Sequence, residues 1–326
     1  MIQPVFQPEI RLEEIRKVSD FSKAFSWLYH TGIQRGELTG WASLDQFFSV
    51  RLREWTLVTG IPSHGKSALL DNLMVNLSYF HKWRWVVFSA ENLPLERHAA
   101  KLAEIFIGKS FGPSIRERMS KEELETAEAF LDTSFRWLSP HEDDCTIDRV
   151  LELAAMVSEH ESVQGIVIDP WNELDHTRPP AMTETEYISR VLTKVRRFAR
   201  EHEVHIFLVA HPVKLQRLRV NDPGASEATV YPVPTPYDVA GSAHFRNKAD
   251  NCLCVWRDVA ASNNETDVHV QKVRFREIGR VGCCRLRFDP TTGRFHDLLG
   301  PQRGIFSIEE YRELHRLKRE PGCDDQ

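Results

Sequence analysis

The stretch that decides the fold of this 326-residue chain is Gly60-Ile61-Pro62-Ser63-His64-Gly65-Lys66-Ser67. It fits the P-loop pattern, in which a glycine and four further residues precede Gly-Lys-Ser or Gly-Lys-Thr. Such a loop wraps a phosphate group in backbone N–H groups, and the helix that follows adds the positive end of its dipole. The pattern therefore predicts that these eight residues bind a nucleoside triphosphate, either ATP or another NTP or dNTP.

The residues on both sides of the loop support this interpretation. Trp55–Thr59 is typical of a buried strand leading into the loop, and apolar residues recur at helical spacing after it. In this strand–loop–helix unit, Lys66 is expected to reach the β- and γ-phosphates and Ser67 to hold Mg²⁺. The alternative is an accidental glycine–lysine turn, which the flanking strand and helix disfavour.

Composition and charge narrow the class of protein. Hydrophobic residues make up 41% of the chain and charged residues 27%, which is typical of a globular protein with one large domain or two small ones. The net charge of -5 disfavours a protein that coats nucleic acid through bulk charge, but it leaves room for a local basic loop. The sequence shows neither a leader peptide nor an apolar run of membrane-spanning length, so we expect no membrane partner and a cytoplasmic setting.

The cysteines give no sign of a metal site. None of them forms a CxxC pair with a second pair at zinc-finger spacing. Buried, reduced thiols are therefore favoured over a metal centre. The six residues are Cys145, Cys252, Cys254, Cys283, Cys284 and Cys323.

Apolar runs and helical patterns alternate along most of the chain, which predicts an α/β fold with a mostly parallel central sheet and helices on both faces. An amphipathic helix is expected over 9–30, before this alternation begins. A proline-rich segment over 212–240 is expected to be a long irregular loop. The remaining predictions are helices near 95–107, 121–132, 146–159 and 183–202, strands at 251–256, 268–275 and 283–288, a turn at 291–294, and a closing helix at 307–318.

Polar residues follow three of the predicted buried strands. Asp169, Glu91 and His211 each come at or just after the end of an apolar run. Because the carboxyl ends of parallel strands meet at one edge of the sheet, we expect these side chains beside the P-loop. Asp169 would hold Mg²⁺ together with Ser67, Glu91 would polarise the attacking water, and His211 would sense the γ-phosphate. For each residue taken singly, an ordinary strand-end or surface role is the alternative.

Two basic residues alternate on a later strand. Lys272 and Arg274 are two positions apart, so their side chains project to the same face. A cation supplied by a neighbouring subunit can neutralise charge on a phosphoryl group during its transfer. From spacing alone, a solvated edge strand is the favoured interpretation of this pair.

Taken together, these motifs resemble the RecA-like motor domain of the DnaB-type replicative helicases, most of all their phage primase–helicase and mitochondrial Twinkle branch. The resemblance covers about 39–295. Its motifs are Thr39-Gly40-Trp41-Ala42-Ser43-Leu44-Asp45, the P-loop, Phe88-Ser89-Ala90-Glu91-Asn92, Ile168-Asp169-Pro170-Trp171-Asn172, Val209-Ala210-His211-Pro212, Gly241-Ser242-Ala243-His244 with Asn247-Lys248-Ala249-Asp250, and Lys272-Val273-Arg274.

The resemblance implies a homo-oligomeric ring, usually of six subunits, with ATP sites between subunits and single-stranded DNA in the centre. It implies a DNA-stimulated ATPase that moves 5′→3′, with Lys272 and Arg274 reaching the neighbour's nucleotide. Lys214, Arg217 and Arg219 are candidate DNA contacts on the 212–240 loop, and the 175–178 segment is a further candidate. The implied divisions are a linker or docking region at 1–38, the motor domain at 39–300, and a C-terminal helix and tail at 301–326.

The chain departs from the family branch at its amino end. Relatives often carry a primase-like region upstream, whereas about thirty residues precede the first family motif here, so we expect no primase activity and possible reliance on a separate primase or loader. The setting implied is the cytoplasm of a bacterial or phage-infected cell. Two other classes stay open: a RecA-like recombination or repair ATPase that does not unwind DNA, and a nucleotide-binding assembly module.

Overall fold

A short, fully buried strand, β1 (Trp55–Thr59), lies at the centre of a nine-stranded sheet. The strand order is β11-β10-β9-β8-β1-β5-β4-β2-β3. The six strands from β8 to β3 run parallel, and β9, β10 and β11 continue the sheet as antiparallel strands. The bounds of the other strands in this sheet are β2 (Trp85–Ser89), β3 (Phe135–Trp137), β4 (Gly165–Asp169), β5 (His205–Val209), β8 (Asn251–Trp256), β9 (Glu265–Val273), β10 (Gly282–Asp289) and β11 (Arg294–Asp297).

This computed structural model describes residues 15–112, 118–216, 218–220, 228–241, 243–259 and 263–298. The chain divides into two compact units between Arg35 and Gly36. The expected domain divisions after residues 38 and 300 stay predictions. The predicted closing helix at 307–318 and the 301–326 tail lie outside the described residues.

In the first unit, the residues that the structure describes, from 15 onward, contain one short α-helix. A 3₁₀ turn (Val18–Phe21) precedes α1 (Ser22–Thr31), which ends at Gly32, a residue with φ of 72°. The prediction of a continuous helix over 9–30 is wrong at its described start, because residues 15–17 are not helical and 9–14 lie outside the description. The physical reason is local: the Asp20 carboxylate accepts the Lys17 backbone N–H at 2.8 Å, and the Asp20 N–H donates to the Lys17 carbonyl oxygen at 2.9 Å, so Lys17 caps the chain and the helical turn begins after it.

Helices cover both faces of the sheet in the second unit. Neighbouring residues of one strand belong to two different apolar clusters: Val58 packs with one and Leu57 with the other. The helix predictions agree with the structure to within two residues at each end. The helices are α2 (Ala42–Asp45), α3 (Lys66–His81), α4 (Leu95–Ile107), α5 (Lys121–Ser134), α6 (Ile147–His160), α7 (Glu184–Glu201) and α8 (His244–Lys248).

The 212–240 segment is not irregular throughout, as its composition predicted. It contains a two-stranded antiparallel ribbon of β6 (Leu218–Val220) and β7 (Ala228–Val230). An antiparallel bridge between Pro212 and Val239 closes the base of the segment. The two limbs that leave this base are therefore held side by side.

Candidate functional site

The P-loop is shaped by backbone conformations that only small residues adopt easily. Gly60 has φ of 145°, and a Cβ placed on it would lie 2.2 Å from the Val255 carbonyl oxygen of β8. Gly65, with φ of 95°, ends the loop where α3 begins. The buried His64 ring fixes the loop to the end of β8, since its Nδ1 accepts the Arg257 backbone N–H at 3.0 Å.

Lys66, Ser67 and Asp169 meet below this loop. The Lys66 ammonium is buried and donates to the Ile61 carbonyl oxygen at 3.2 Å. Burial lowers the pKa of Lys66, while the Asp169 and Glu91 carboxylates oppose that change. Burial raises the pKa of Asp169 to about 6, and a hydrogen bond from Ser67 acts in the opposite direction.

The donor set at this point fits Mg²⁺. Asp169 Oδ1 is buried and has no hydrogen-bond partner among the residues that the structure describes. A buried carboxylate oxygen without a partner is costly unless a cation or water completes it. Because carboxylate and hydroxyl oxygens suit a hard divalent cation, Ser67 and Asp169 are the residues that could hold it.

Glu91 and His211 lie together at the same edge of the sheet. The register pairs Ser89 of β2 with Asp169 of β4, so Glu91 follows β2 directly beside the Asp169 strand end. His211 Nε2 lies 3.4 Å from Glu91 Oε1, a long and weak contact, and the Glu91 side chain is 47% exposed. Burial lowers the pKa of His211, the Lys66 charge lowers it further, and Glu91 raises it. The three strand-end residues predicted from sequence are therefore neighbours.

Sequence reasoning missed the side chains that hold these two residues. Asn172 Oδ1 accepts the His211 backbone N–H at 2.9 Å. Asn92, next to Glu91, donates to Ser89 Oγ at 2.9 Å, and Lys101 donates to Asn92 Oδ1 at 2.7 Å. Both asparagines lie within the motifs that carry the family resemblance, but nothing in their spacing indicates which atoms they contact.

Lys272 is the second-last residue of β9 and Arg274 follows the end of that strand, so Arg274 is not part of the strand as predicted; both side chains contact the 246–250 segment at the end of α8. Lys272 Nζ donates to the Arg246 and Ala249 carbonyl oxygens, each at 2.6 Å. Arg274 Nη1 donates to Asp250 Oδ1 at 2.9 Å. Within one chain, both cations are thus held by the 246–250 segment.

Lys272 and Arg274 are held near the start of β1, whereas the P-loop follows the end of that strand. Asp250 contacts the backbone N–H of Trp55, the first residue of β1, at 3.3 Å, whereas the P-loop follows Thr59, its last residue. The four steps along β1 correspond to roughly 13 Å. Arg274 is therefore placed away from the nucleotide site of its own chain.

The predicted DNA contacts lie on or near the ribbon segment. Lys214 is exposed. Arg219 pairs with Thr229 in the ribbon, although its side chain is not described, and Arg217 lies outside the described residues. The 175–178 segment is exposed as well. The structure thus leaves the roles of these residues as predictions.

The five described cysteines are free thiols, and Cys323 lies outside the description. Sequence reasoning missed one group of metal-ligating side chains on β9 and β10, Asp267, His269 and Cys283, whose ligand atoms lie within 4.8 Å of one another. Arg285 donates to both Asp267 carboxylate oxygens, at 2.5 and 3.0 Å. Since this cation already occupies the carboxylate, we assign no metal to the group.

Residues 36–297 match the family described as DnaB-like helicase C terminal domain. The chain belongs to this family. The "Twinkle homolog protein, chloroplastic/mitochondrial" of Arabidopsis thaliana is 40% identical over 275 residues, which cover 82% of this chain and 37% of the relative. This chain therefore spans about a third of the length of that curated relative.

Solved structures share the fold. The "ATPase Domain of G40P" has a TM-score of 0.67 at 17% identity and covers 86% of this chain and 99% of its own. "The Structure Of A DnaB-Like Replicative Helicase And Its Interactions With Primase" has a TM-score of 0.68 at 19% identity and covers 88% of this chain and 69% of its own.

The comparisons confirm the predicted family resemblance, including its Twinkle branch, and the predicted fold class. The organelles in the plant relative's name do not support the bacterial or phage setting expected from the sequence. In the described parts of the chain, the helices are all too short or too polar to cross a membrane.

Proposed function

We propose that this chain is an ATP-driven helicase motor that moves along single-stranded DNA and separates duplex DNA during replication. The observation that carries the proposal is the position of His211, whose side chain contacts Glu91 and whose backbone belongs to the base of the ribbon segment. One residue thus joins the nucleotide site to the candidate DNA loop. Membership of the DnaB-like helicase family supports the same activity.

On this proposal, the nucleotide is held by the P-loop amides and Lys66. Ser67 and Asp169 would hold Mg²⁺, which supplies positive charge to the β- and γ-phosphates. Glu91 orients and polarises the attacking water from the carboxyl end of β2. Asn92 and Lys101 keep Glu91 at that position through the turn that follows β2.

Loss of the γ-phosphate would be transmitted through His211. The His211 carbonyl oxygen accepts the Ala240 N–H at 3.3 Å, and the Val213 N–H donates to the Asp238 carbonyl oxygen at 2.7 Å. A shift of His211 therefore displaces both limbs of the segment together. Lys214, Arg217 and Arg219 on this segment would follow the strand by contacting its phosphates.

Arg274 would act on the nucleotide of a neighbouring subunit, because its partner Asp250 contacts the first residue of β1, whereas its own P-loop follows the last residue of that strand, roughly 13 Å further along. Lys272 would hold the end of α8 and the following residue, Ala249, next to Asp250, and would also face the neighbouring subunit. We propose that six copies of the chain form a closed ring and that the ring moves 5′→3′ along single-stranded DNA. A ring reconciles the acidic net charge with DNA binding, since only its channel needs to be basic.

A separate primase or loader is the further partner that this proposal allows, since one structural neighbour is described together with a primase. A recombination ATPase and an assembly module are the competing classes. These classes and the helicase motor differ in whether single-stranded DNA stimulates ATP hydrolysis and in whether the protein separates duplex DNA.

The test is steady-state ATP hydrolysis with and without single-stranded DNA, followed by strand separation on a forked duplex. The mass of the nucleotide-bound protein is measured on the same sample. Lys214→Ala is expected to reduce DNA stimulation while leaving basal hydrolysis unchanged. Lys121→Ala is the matched control, because Lys121 is 83% exposed on α5 and its ion pair with Glu125 is long, at 3.9 Å.

Stimulated hydrolysis, a ring-sized mass and strand separation together support the motor. Stimulation with filament formation and no strand separation favours the recombination ATPase. A nucleotide-bound protein that neither hydrolyses ATP nor responds to DNA favours the assembly module and refutes the proposal.

A further inference from the structure

A buried chain of polar side chains leads from β3 to the P-loop helix. Trp137 Nε1 lies 3.2 Å from His98 Nδ1, and His98 Nε2 lies 2.9 Å from Asp71 Oδ1. The side chains of His98 and Asp71 are 1% and 7% exposed. Such a chain is costly to bury unless each member has a partner, so its arrangement needs an explanation.

The direction of the hydrogen bonds follows from chemistry. The indole N–H of Trp137 can only donate, so His98 Nδ1 must accept. A neutral imidazole then carries its proton on Nε2 and donates it to Asp71. His98 is therefore locked in one tautomer and holds one oxygen of the Asp71 carboxylate in place.

Asp71 lies one helical turn beyond Ser67. Residues four apart share a face of an α-helix, so Asp71 is on the same face of α3 as Ser67, whose hydroxyl is proposed to hold Mg²⁺. The Asp71 carboxylate also lies close enough to Asp169 for the two charges to interact. Among the hydrogen bonds described for this part of the chain, His98 takes Oδ1 and none takes Oδ2.

We propose that Asp71 is an outer-shell residue of the Mg²⁺ site, which accepts a hydrogen bond from a metal-bound water, and that His98 and Trp137 are positioning residues for it. The inference rests on the proposed function, because it concerns the same nucleotide site. It adds three residues to which no motif of the sequence drew attention.

General metal chemistry supplies the reason. Protein-bound Mg²⁺ usually retains several waters, because it gives up its hydration shell reluctantly. The protons of these waters need acceptors, and a fixed carboxylate is a strong one. Residues that orient the ligands of a metal typically change its affinity by about 10- to 100-fold when they are replaced.

The alternative is that the three side chains only tie α3, α4 and β3 together. The two readings differ in one measurement, the affinity for a fluorescent ATP analogue in Mg²⁺ and in EDTA. A loosened pocket weakens binding in both. Loss of an outer-shell carboxylate weakens binding in Mg²⁺ alone, because removing a negative charge near the phosphates does not harm metal-free binding.

Asp71→Asn in the full chain is expected to weaken Mg²⁺-dependent analogue binding by about 10- to 100-fold and to leave binding in EDTA unchanged or tighter. Asp45→Asn is the matched control, since Asp45 is also a buried carboxylate but binds Thr39 N and Oγ1, each at 2.7 Å, in the segment before the P-loop. Mn²⁺ binding followed by electron paramagnetic resonance reports the ion directly.

A second pair of variants separates positioning from folding. His98→Leu removes the donor to Asp71 and is expected to copy Asp71→Asn, whereas His98→Gln keeps an N–H donor and is expected to recover most of the Mg²⁺ affinity. Thermal melting identifies any variant that fails to fold, and the remaining variants then decide.

Equal weakening in Mg²⁺ and EDTA, or no weakening in Asp71→Asn, overturns the outer-shell role while leaving the proposed function intact. A wild-type protein that binds the analogue equally well with and without Mg²⁺ overturns the outer-shell role alone, whereas a wild-type protein that binds no analogue under either condition overturns both.

Discussion

Arg274→Ala should damage this protein in two separable ways. In the structure, the Arg274 guanidinium is paired with the carboxylate of Asp250, and the exposed fractions of their side chains are 38% and 1%. Removing Arg274 leaves that buried carboxylate with the weaker Trp55 N–H contact at 3.3 Å. The folded state then contains a buried charge that is compensated less well, by the more weakly interacting Lys272 and Arg196.

The size of the loss follows from this geometry. Breaking a buried ion pair by removing one partner costs about 3–5 kcal/mol. Arg274 is partly solvated and Trp55 N–H stays in place, so we expect about 2–3 kcal/mol here. For a domain of this size, that corresponds to a fall in Tm of about 5–10 °C.

The double variant Arg274→Ala/Asp250→Asn separates stability from activity. Replacing the carboxylate by a neutral amide removes the buried charge, so we expect most of the lost stability to return. Hydrolysis should stay low, since an arginine acting on transferred phosphate contributes about 10³- to 10⁵-fold. Urea unfolding and steady-state ATP hydrolysis on the same preparations give the two quantities.

One result would refute this reasoning. If the double variant regains both stability and near-wild-type hydrolysis, Arg274 serves only to balance Asp250, and no role on a neighbour's nucleotide remains. If stability does not return, the ion pair is not the source of the loss.

Four further outcomes are expected. Glu91→Gln should abolish hydrolysis and keep nucleotide binding, and near-normal turnover would exclude its role with water. Arg274→Ala subunits mixed with Glu91→Gln subunits should regain some hydrolysis through mixed interfaces, and no recovery at any ratio would count against action between subunits. Gly60→Ala should weaken both folding and nucleotide binding, measured by melting and titration, because its Cβ would meet the Val255 carbonyl oxygen. Burial lowers the pKa of His205 to about 4, so between pH 6.5 and pH 4 this side chain binds a proton in the unfolded chain but not in the folded chain. The free energy of unfolding should therefore fall by up to about 3 kcal/mol as the pH falls from 6.5 to 4, and His205→Gln should reduce this pH dependence.

The elements that could be predicted from the sequence are those with a clear apolar pattern. β1, β4 and β5 are short apolar runs buried on both faces, and the long helices carry a clear apolar stripe, so pattern and structure agree. The carboxyl-end rule then placed Asp169, Glu91 and His211 together, because parallel strands end at one edge.

Elements without such a pattern were missed. β3 is a three-residue strand, and β11 is a four-residue strand after a tight turn, which are too short for periodicity to detect. The ribbon inside 212–240 was missed because the prolines around it are typical of irregular structure.

The supporting polar contacts could not be predicted for a different reason. His98 and Asp71 are 27 positions apart, and Trp137 is 39 positions from His98. A hydrogen bond between separate elements leaves no local trace in a sequence, so only the folded arrangement brings such residues together.

Lys66 and Arg274 lie beyond opposite ends of β1, and this placement has a genetic consequence. If the arginine of each subunit acts on the nucleotide of the next, a variant chain also affects the normal chains, because both forms assemble into the same rings. In a cell making equal amounts of both forms, only about 2% of six-subunit rings would contain none of the altered chain. Changes at either residue should therefore be inherited as dominant defects, whereas changes that prevent folding should be recessive.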